Sequence, residues 1–326
     1  MMNKKIKLPK DVPVIVCFGG GVDSTAMMVA MKRQGLVPDL VTFADVGAEK
    51  PETYAHVAAV SKWLQTWADQ PVVTCTKRTK ETTAYNDLTG NCIDNETLPS
   101  LAFGMKSCSI KWKQGPQDKA VMGATKGPNK CNPHPLWLDA KKRRVKPVKL
   151  IGYDSGPADL RRSKKLKQAD ASFQYSYPLQ QLGWTRSDCI KAIVEEGLPV
   201  PVKSACFFCP ASQKWELWWL AGEHPELFMK ALQLEHTAML GKHSRWGSDE
   251  CTYDKAWEEF INKPADQWPS TDIAVGLGRS FAWNHWARVN NIVDDSGKFV
   301  GNKEACLAKA NELLVKAGNA LDHRSC

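Results

Sequence analysis

The chain has 326 residues, long enough for one large α/β domain or two smaller ones with ample core. Its 44 Lys and Arg against 35 Asp and Glu leave a net charge of +9. No apolar run is long enough to span a bilayer, and Met1 to Lys10 are too basic for a signal peptide, so a cytoplasmic protein without membrane contact is expected. In that compartment the eleven cysteines read as ligands, nucleophiles or core residues rather than disulfides.

In chain order, Val12 to Phe18 is a β-branched and aromatic run of strand length without a polar face, as a buried parallel strand requires. It enters Gly19-Gly20-Gly21 and then Val22-Asp23-Ser24-Thr25, after which Thr25 to Met31 reads as a helix with Asp23 or Ser24 as N-cap. Glycines between a strand and a helix let backbone N–H groups turn toward an anion, and the helix N-terminus adds partial positive charge. The spacing is that of neither a Walker loop nor a dinucleotide fingerprint. Leu40 to Phe43 reads as a second strand, Asp45-Val46-Gly47 as its turn, and Pro51-Glu52-Thr53-Tyr54 as the first turn of a helix. Met122 to Lys146, rich in Gly, Pro, Asn and Lys, reads as an inserted loop. Val148 to Tyr153 is a further strand ending in Gly152-Tyr153-Asp154, with Arg161 and Arg162 beyond it.

The alternation over residues 12 to about 180 predicts an α/β fold, a parallel sheet with helices on both faces. Thr185 and Asp188 form a capping box for a helix ending at Gly197. Residues 211 to 240 predict two helices broken at His224-Pro225, and Lys303 to Leu321 is helical in pattern. The expected organisation is a nucleotide-binding domain over 1–184 with a basic insert near 122–147, a helical segment over 185–247, and a helical C-terminal region over 248–326. Trp215, Trp218 and Trp219 recur at helical spacing, which predicts packing rather than base stacking.

The glycine loop resembles the pyrophosphate loop SGGxDS of the adenine-nucleotide α-hydrolase (PP-loop ATP pyrophosphatase) superfamily, with Gly19 in place of the leading Ser. Asp45 to Thr53 resembles the DTGxxxPET element of the PAPS reductase-like branch. Lys106 to Pro116 is similar to that branch's Cys-x-x-x-Lys-x-x-Pro segment, with Lys113 and Pro116 at the family distances and Lys111 a second phosphate-facing candidate. The resemblance runs from about residue 12 to about residue 245. It implies a HUP/PP-loop, Rossmann-like fold that binds ATP or PAPS with Mg²⁺ through Gly19, Gly20, Gly21, Asp23, Ser24, Thr25, Asp45, Gly47, Gly152, Asp154 and Arg162. The implied chemistry is adenylation at the α-phosphorus with pyrophosphate release, Asp23, Ser24, Lys111 and Lys113 being the catalytic candidates. Sulfur transfer from a donor protein, or nucleic-acid modification, would follow.

Cys206-Phe207-Phe208-Cys209 is a C-x-x-C, which suits a metal, a redox pair or two buried thiols. Iron-sulfur relatives join a cysteine at the Cys108 position to such a pair, implying Cys108, Cys206 and Cys209 as ligands of Zn²⁺ or an iron-sulfur cluster. The fourth ligand is left open among Cys131, His134, Cys189 and Cys251. Two basic clusters, Lys141 to Lys146 and Arg161 to Lys167, flank the Val148 strand and point to a polyanionic second substrate such as DNA or tRNA. Two rival readings remain: a PAPS or APS reductase releasing sulfite, although Cys326 lacks the Glu-Cys-Gly context of such enzymes, and a non-catalytic nucleotide- or nucleic-acid-binding component.

Overall fold

The structure, a computed structural model, describes residues 4–99, 102, 108–128, 130–165, 169–240, 276–278 and 281–316. They fall into two compact units, one built within Met1–Lys80 and Lys111–Ala205, the other within Glu81–Ile110 and Cys206–Ala320.

The first unit is organised by five parallel strands: β1 (Val14–Phe18), β2 (Leu40–Asp45), β3 (Val73–Thr76), β4 (Val148–Ile151) and β5 (Gln174–Ser176), in the order β3-β2-β1-β4-β5. Alternation along β1 assigns the two faces. Val16 and Phe18 pack with α1 (Val22–Arg33), α2 (Pro51–Ala68) and the later helices α7 (Pro178–Leu182) and α8 (Arg186–Glu195). Ile15 points the other way, onto Val121 of α4 (Gly115–Met122) and Trp137 of α5 (Pro135–Arg143). Helices therefore cover both faces, as expected. Met27, Met28, Met31 and Leu64 are fully buried on the first face, each such side chain being worth about 1.5–3 kcal/mol of transfer free energy.

Several local expectations shift in detail. β1 starts at Val14, whose N–H donates to the Asp39 carboxylate (2.7 Å), and β4 ends at Ile151. The N-cap of α1 is Gly21, with no side-chain cap, because Asp23 is drawn to Arg186 and the Ser24 hydroxyl turns back on the loop. The proline start of α2 and the Thr185/Asp188 box of α8 form as read. The stretch 122–147 is not simply a loop. It holds α5, whose Trp137 and Ala140 are buried, since four apolar positions in Pro135 to Ala140 outweigh the flanking polar composition.

Helix α8 was expected to open a separate segment; it belongs to the sheet unit instead. It runs parallel to α1, joined by Arg186–Asp23 (3.0 Å) at their N-terminal ends and by Lys32–Glu196 at their C-terminal ends. Trp63 Nε1–H also donates to Glu196 (3.0 Å).

The second unit is helical where described. It contains α3 (Leu88–Asp94), α9 (Lys214–Glu223), α10 (Pro225–Leu240) and the helices Trp283–Val289 and Lys303–Lys316. The break at His224-Pro225 falls where proline ends the preceding helix. Trp215 is buried, Trp218 lies edge-on to Trp286 and Trp219 edge-on to His224, so the tryptophan stripe is packing. Glu235, fully buried, accepts the N–H groups of Trp283 (2.9 Å) and Asn284 (2.7 Å) and caps the Trp283 helix through its carboxylate. Among the described residues no helix is long and apolar enough to cross a membrane.

Candidate functional site

Because all five strands are parallel, they end at one edge of the sheet. That edge gathers Gly19 to Ser24 after β1, Asp45 to Gly47 after β2, Lys77 after β3 and Gly152 to Asp154 after β4. The chain order reverses between β1 and β4, and ligands of open α/β sheets bind beyond the strand ends at such a point.

The loop after β1 is braced from beneath. Gly20 has φ +71°, and a Cβ there would meet Thr53 Cγ2 at 3.1 Å and Val57 Cγ2 at 3.3 Å. The Gly19 N–H donates to Ser24 Oγ (3.2 Å), the Ser24 hydroxyl donates to the Gly21 carbonyl (3.1 Å), and the Ser204 hydroxyl donates to the Gly19 carbonyl (2.5 Å). Thr25 Oγ1 donates to the Gly21 carbonyl (2.9 Å) and so accepts from His56 Nε2–H (2.9 Å). His56 is buried and stays neutral, since burial lowers its pKa to about 4.

Thr25, expected at the nucleotide, is fully buried and acts as a brace, with His56 behind it as a partner that the sequence reading missed. By contrast the N–H groups of Gly20, Gly21, Val22, Asp23 and Ser24 have no acceptor among the described residues. Five adjacent donors at the start of a twelve-residue helix have the arrangement that can cradle an anion.

Gly152 closes the cradle from the β4 side. A Cβ on it would lie 2.7 Å from both the backbone N and Cα of Ser24. Beyond it Asp154 accepts from Gly156 N–H (2.7 Å), and Arg162 pairs with Asp159 (2.8 Å) while remaining more than half exposed.

Asp23 has a pKa raised to about 6 by burial, with Asp154 and Asp159 adding to the shift and Arg186 opposing it. The folded-state value exceeds the ordinary value of 3.8. Asp23 therefore stabilises the fold relative to the unfolded chain below pH 3.8, and that contribution is lost as pH rises through about 6. Asp23→Asn should flatten the stability profile between those limits, which urea unfolding at pH 4, 5, 6 and 7 would read. An unchanged profile would deny the residue its unusual ionisation.

On the other side, Asp45 accepts from the Gly47 N–H and the Tyr54 hydroxyl (both 2.8 Å) and so shapes its own turn. Lys113 pairs with buried Glu49 (2.7 Å), which joins the two sequence segments around Asp45 and Lys113 in space. Lys111 is exposed, and Trp112 between the two lysines is buried under the Lys77 ammonium, 3.9 Å from the ring centroid. Lys77 was not anticipated, because β3 is a four-residue strand with three exposed side chains and gives little pattern to read.

Two expectations about charge and metal change. Lys141 to Lys146 precede β4 and so lie at the opposite edge of the sheet, where Arg143 pairs with Asp139 and donates to the Asp11 carbonyl (2.5 Å). Only Arg161 to Lys165 of the second cluster, in α6 (Pro157–Lys165), follow the strand end.

In the second unit the Cys209 N–H donates to the Cys206 carbonyl (3.0 Å), giving the tight turn expected of the C-x-x-C. The thiol of buried Cys92 is pushed up to about 12 by burial and then by Cys108 and Asp87. No group of three His, Cys, Asp or Glu able to hold a metal forms among the described residues. Cys108, Cys206 and Cys209 therefore form no such group, while the turn that holds Cys206 and Cys209 together is present. Lys106, Ser107, Lys167, Cys251 and the terminal His323-Arg324-Ser325-Cys326 lie outside the described residues.

Compared with known proteins, the chain matches no protein-family model and no curated protein sequence.

Proposed function

We propose that the sheet unit is a PP-loop nucleotide-binding module of the PAPS reductase-like type, acting on the α-phosphate of ATP. The observation that carries this reading is the row of five unpartnered N–H groups from Gly20 to Ser24 at the switch point of a parallel sheet, pressed against Gly152. Magnesium enters with the nucleotide as substrate. The cradle holds the β- and γ-phosphates, so that pyrophosphate departs into donors already aimed at it, without reorganisation. A substrate oxygen attacks the α-phosphorus, the bond to the bridging oxygen breaks, and the acceptor leaves as an adenylate. Asp23, held by Arg186, and the Thr25–His56 pair position the loop, while Lys111 and Lys113 supply positive charge on the β2–β3 side. No step passes through Cys108, Cys206 or Cys209.

Pyrophosphate released from ATP in the presence of candidate acceptors, DNA, tRNA or small carboxylates, tests the reading. Gly20→Val should abolish both nucleotide binding and release, since its Cβ meets Thr53 and Val57 at a positive φ. Sulfite formed from PAPS and a thiol reductant would favour the reductase alternative, and ATP binding without turnover would favour a sensor.

A further inference from the structure

Beyond the ends of β4 and β5 the sheet unit carries two stacked aromatic rings and a basic helix. Tyr153, one residue past Gly152, stacks on Tyr177, which follows β5, with ring centroids 5.6 Å apart and planes 2° from parallel. Tyr177 is buried and Tyr153 half-buried, so the second ring backs the first and leaves part of it open.

Hydrogen bonds fix which way α6 faces. Its inward side carries Asp159 and Ser163, one helical turn apart and both buried. The Asp159 carboxylate accepts from the Asp154 N–H (3.4 Å) and from Arg162 (2.8 Å). The Ser163 hydroxyl donates to Gln180 Oε1 (2.9 Å), and Gln180 Nε2–H donates to the Asp154 carbonyl (3.1 Å), which ties α6 and α7 to the turn after β4. Arg161, Lys164 and Lys165, at i, i+3 and i+4, therefore share the outward side. All three are exposed and have no ion-pair or hydrogen-bond partner among the described residues, and the one carboxylate of α6, Asp159, is turned away from them.

The geometry points to the Tyr153 ring and the outward side of α6 as the docking surface for a single nucleic-acid strand, the acceptor. An unpaired base lies on Tyr153, and the phosphates of neighbouring nucleotides follow Arg161, Lys164 and Lys165. A base inside a duplex is covered on both faces by its neighbours and does not reach the ring. A small carboxylate would use neither the flat ring nor the row of cations. Tyr153 adjoins Gly152, which abuts the Ser24 backbone, so a nucleotide held on the ring stands beside the glycine loop. That the docked strand is the acceptor rests on the ATP reading above; the docking itself does not.

The test is fluorescence anisotropy of labelled oligothymidylate and oligouridylate, about 12 nucleotides long, with the full-length protein and no ATP. Inorganic polyphosphate of equal charge serves as a competitor without bases. Binding should weaken with salt at a slope of about −0.7 per neutralised phosphate, and the triple variant Arg161→Gln, Lys164→Gln, Lys165→Gln should flatten that slope by about 2. Tyr153→Leu should weaken binding about 5- to 100-fold, whereas Tyr153→Phe should bind like the parent. The tighter of the two oligonucleotides identifies the acceptor as DNA or RNA. Gly20→Val should still bind the strand, even if ATP binding is gone. No binding of either strand at low salt, an unchanged slope in the triple variant, parental affinity in Tyr153→Leu, or polyphosphate competing as well as an unlabelled strand would each overturn the surface. Pyrophosphate release by a protein that binds no strand would overturn it while leaving the ATP reading in place.

Discussion

Gly152→Ala is expected to weaken ATP binding by about 10- to 100-fold while leaving the fold intact. The added methyl would stand 2.7 Å from Ser24 N and Cα and 2.9 Å from the Asp23 carbonyl carbon, all backbone atoms that no rotamer change can clear. Overpacking of this kind costs about 1–3 kcal/mol, and each 1.4 kcal/mol is a factor of ten in affinity. The clash falls on the first turn of α1, so relief comes from moving the N–H donors away from where phosphate would sit.

Gly19→Ser is the matched control. A Cβ at Gly19 meets only Ser24 Oγ, at 3.8 Å, so this variant, which puts a serine where the resembled pyrophosphate loop has one, should bind ATP at least as well as the parent. Isothermal titration of both variants decides the matter. Parental affinity in Gly152→Ala would break the link between the β4 end and the site.

Removing Asp118 should cost the sheet unit about 3–5 kcal/mol, the usual penalty for stranding one member of a buried ion pair. Its partner Lys149 is 3% exposed, faces the second side of the sheet on β4, and lies 3.8 Å from the Phe173 ring centroid, with no other carboxylate among the described residues paired to it. The same pair bears on the interior of the sheet. The Cys17 thiol, pushed up to about 11 by burial, feels both charges, the lysine lowering its pKa and the aspartate raising it.

Asp118→Ala should therefore unfold at markedly lower urea concentration, whereas Asp118→Leu combined with Lys149→Met should recover most of the loss. Replacing a whole buried pair by apolar groups of like volume removes the desolvation cost along with the attraction. A single variant as stable as the parent would show that Lys149 reaches water without its partner.

The elements legible from residue order alone were those set by short-range physics. The β-branched run into three glycines forms strand, loop and helix because each signal lies within a few residues of the next. Pro51 with Glu52, the Thr185/Asp188 box and the His224-Pro225 break are likewise local backbone and capping effects. The parallel sheet with helices on both faces followed from alternation, and the positions of Gly19 to Ser24, Asp45 and Gly152 at one edge followed from parallel strands.

Tertiary structure alone decided which groups meet. The Asp23–Arg186 pair and the Thr25–His56 brace join residues 163 and 31 positions apart, and no periodicity encodes such a partner. The Lys77 ammonium over the Trp112 ring is placed by a short edge strand with hardly any apolar pattern. The basic clusters flank β4 in sequence, but Lys141 to Lys146 enter it at the end away from the glycine loop, because charge counting carries no direction, whereas strand polarity does. Spacing held Cys206 and Cys209 in one turn, but whether Cys108 joins them depends on long-range packing. Local propensity thus determined the strand, glycine loop and helix of Val14 to Arg33, while non-local strand pairing and helix docking determined what surrounds them.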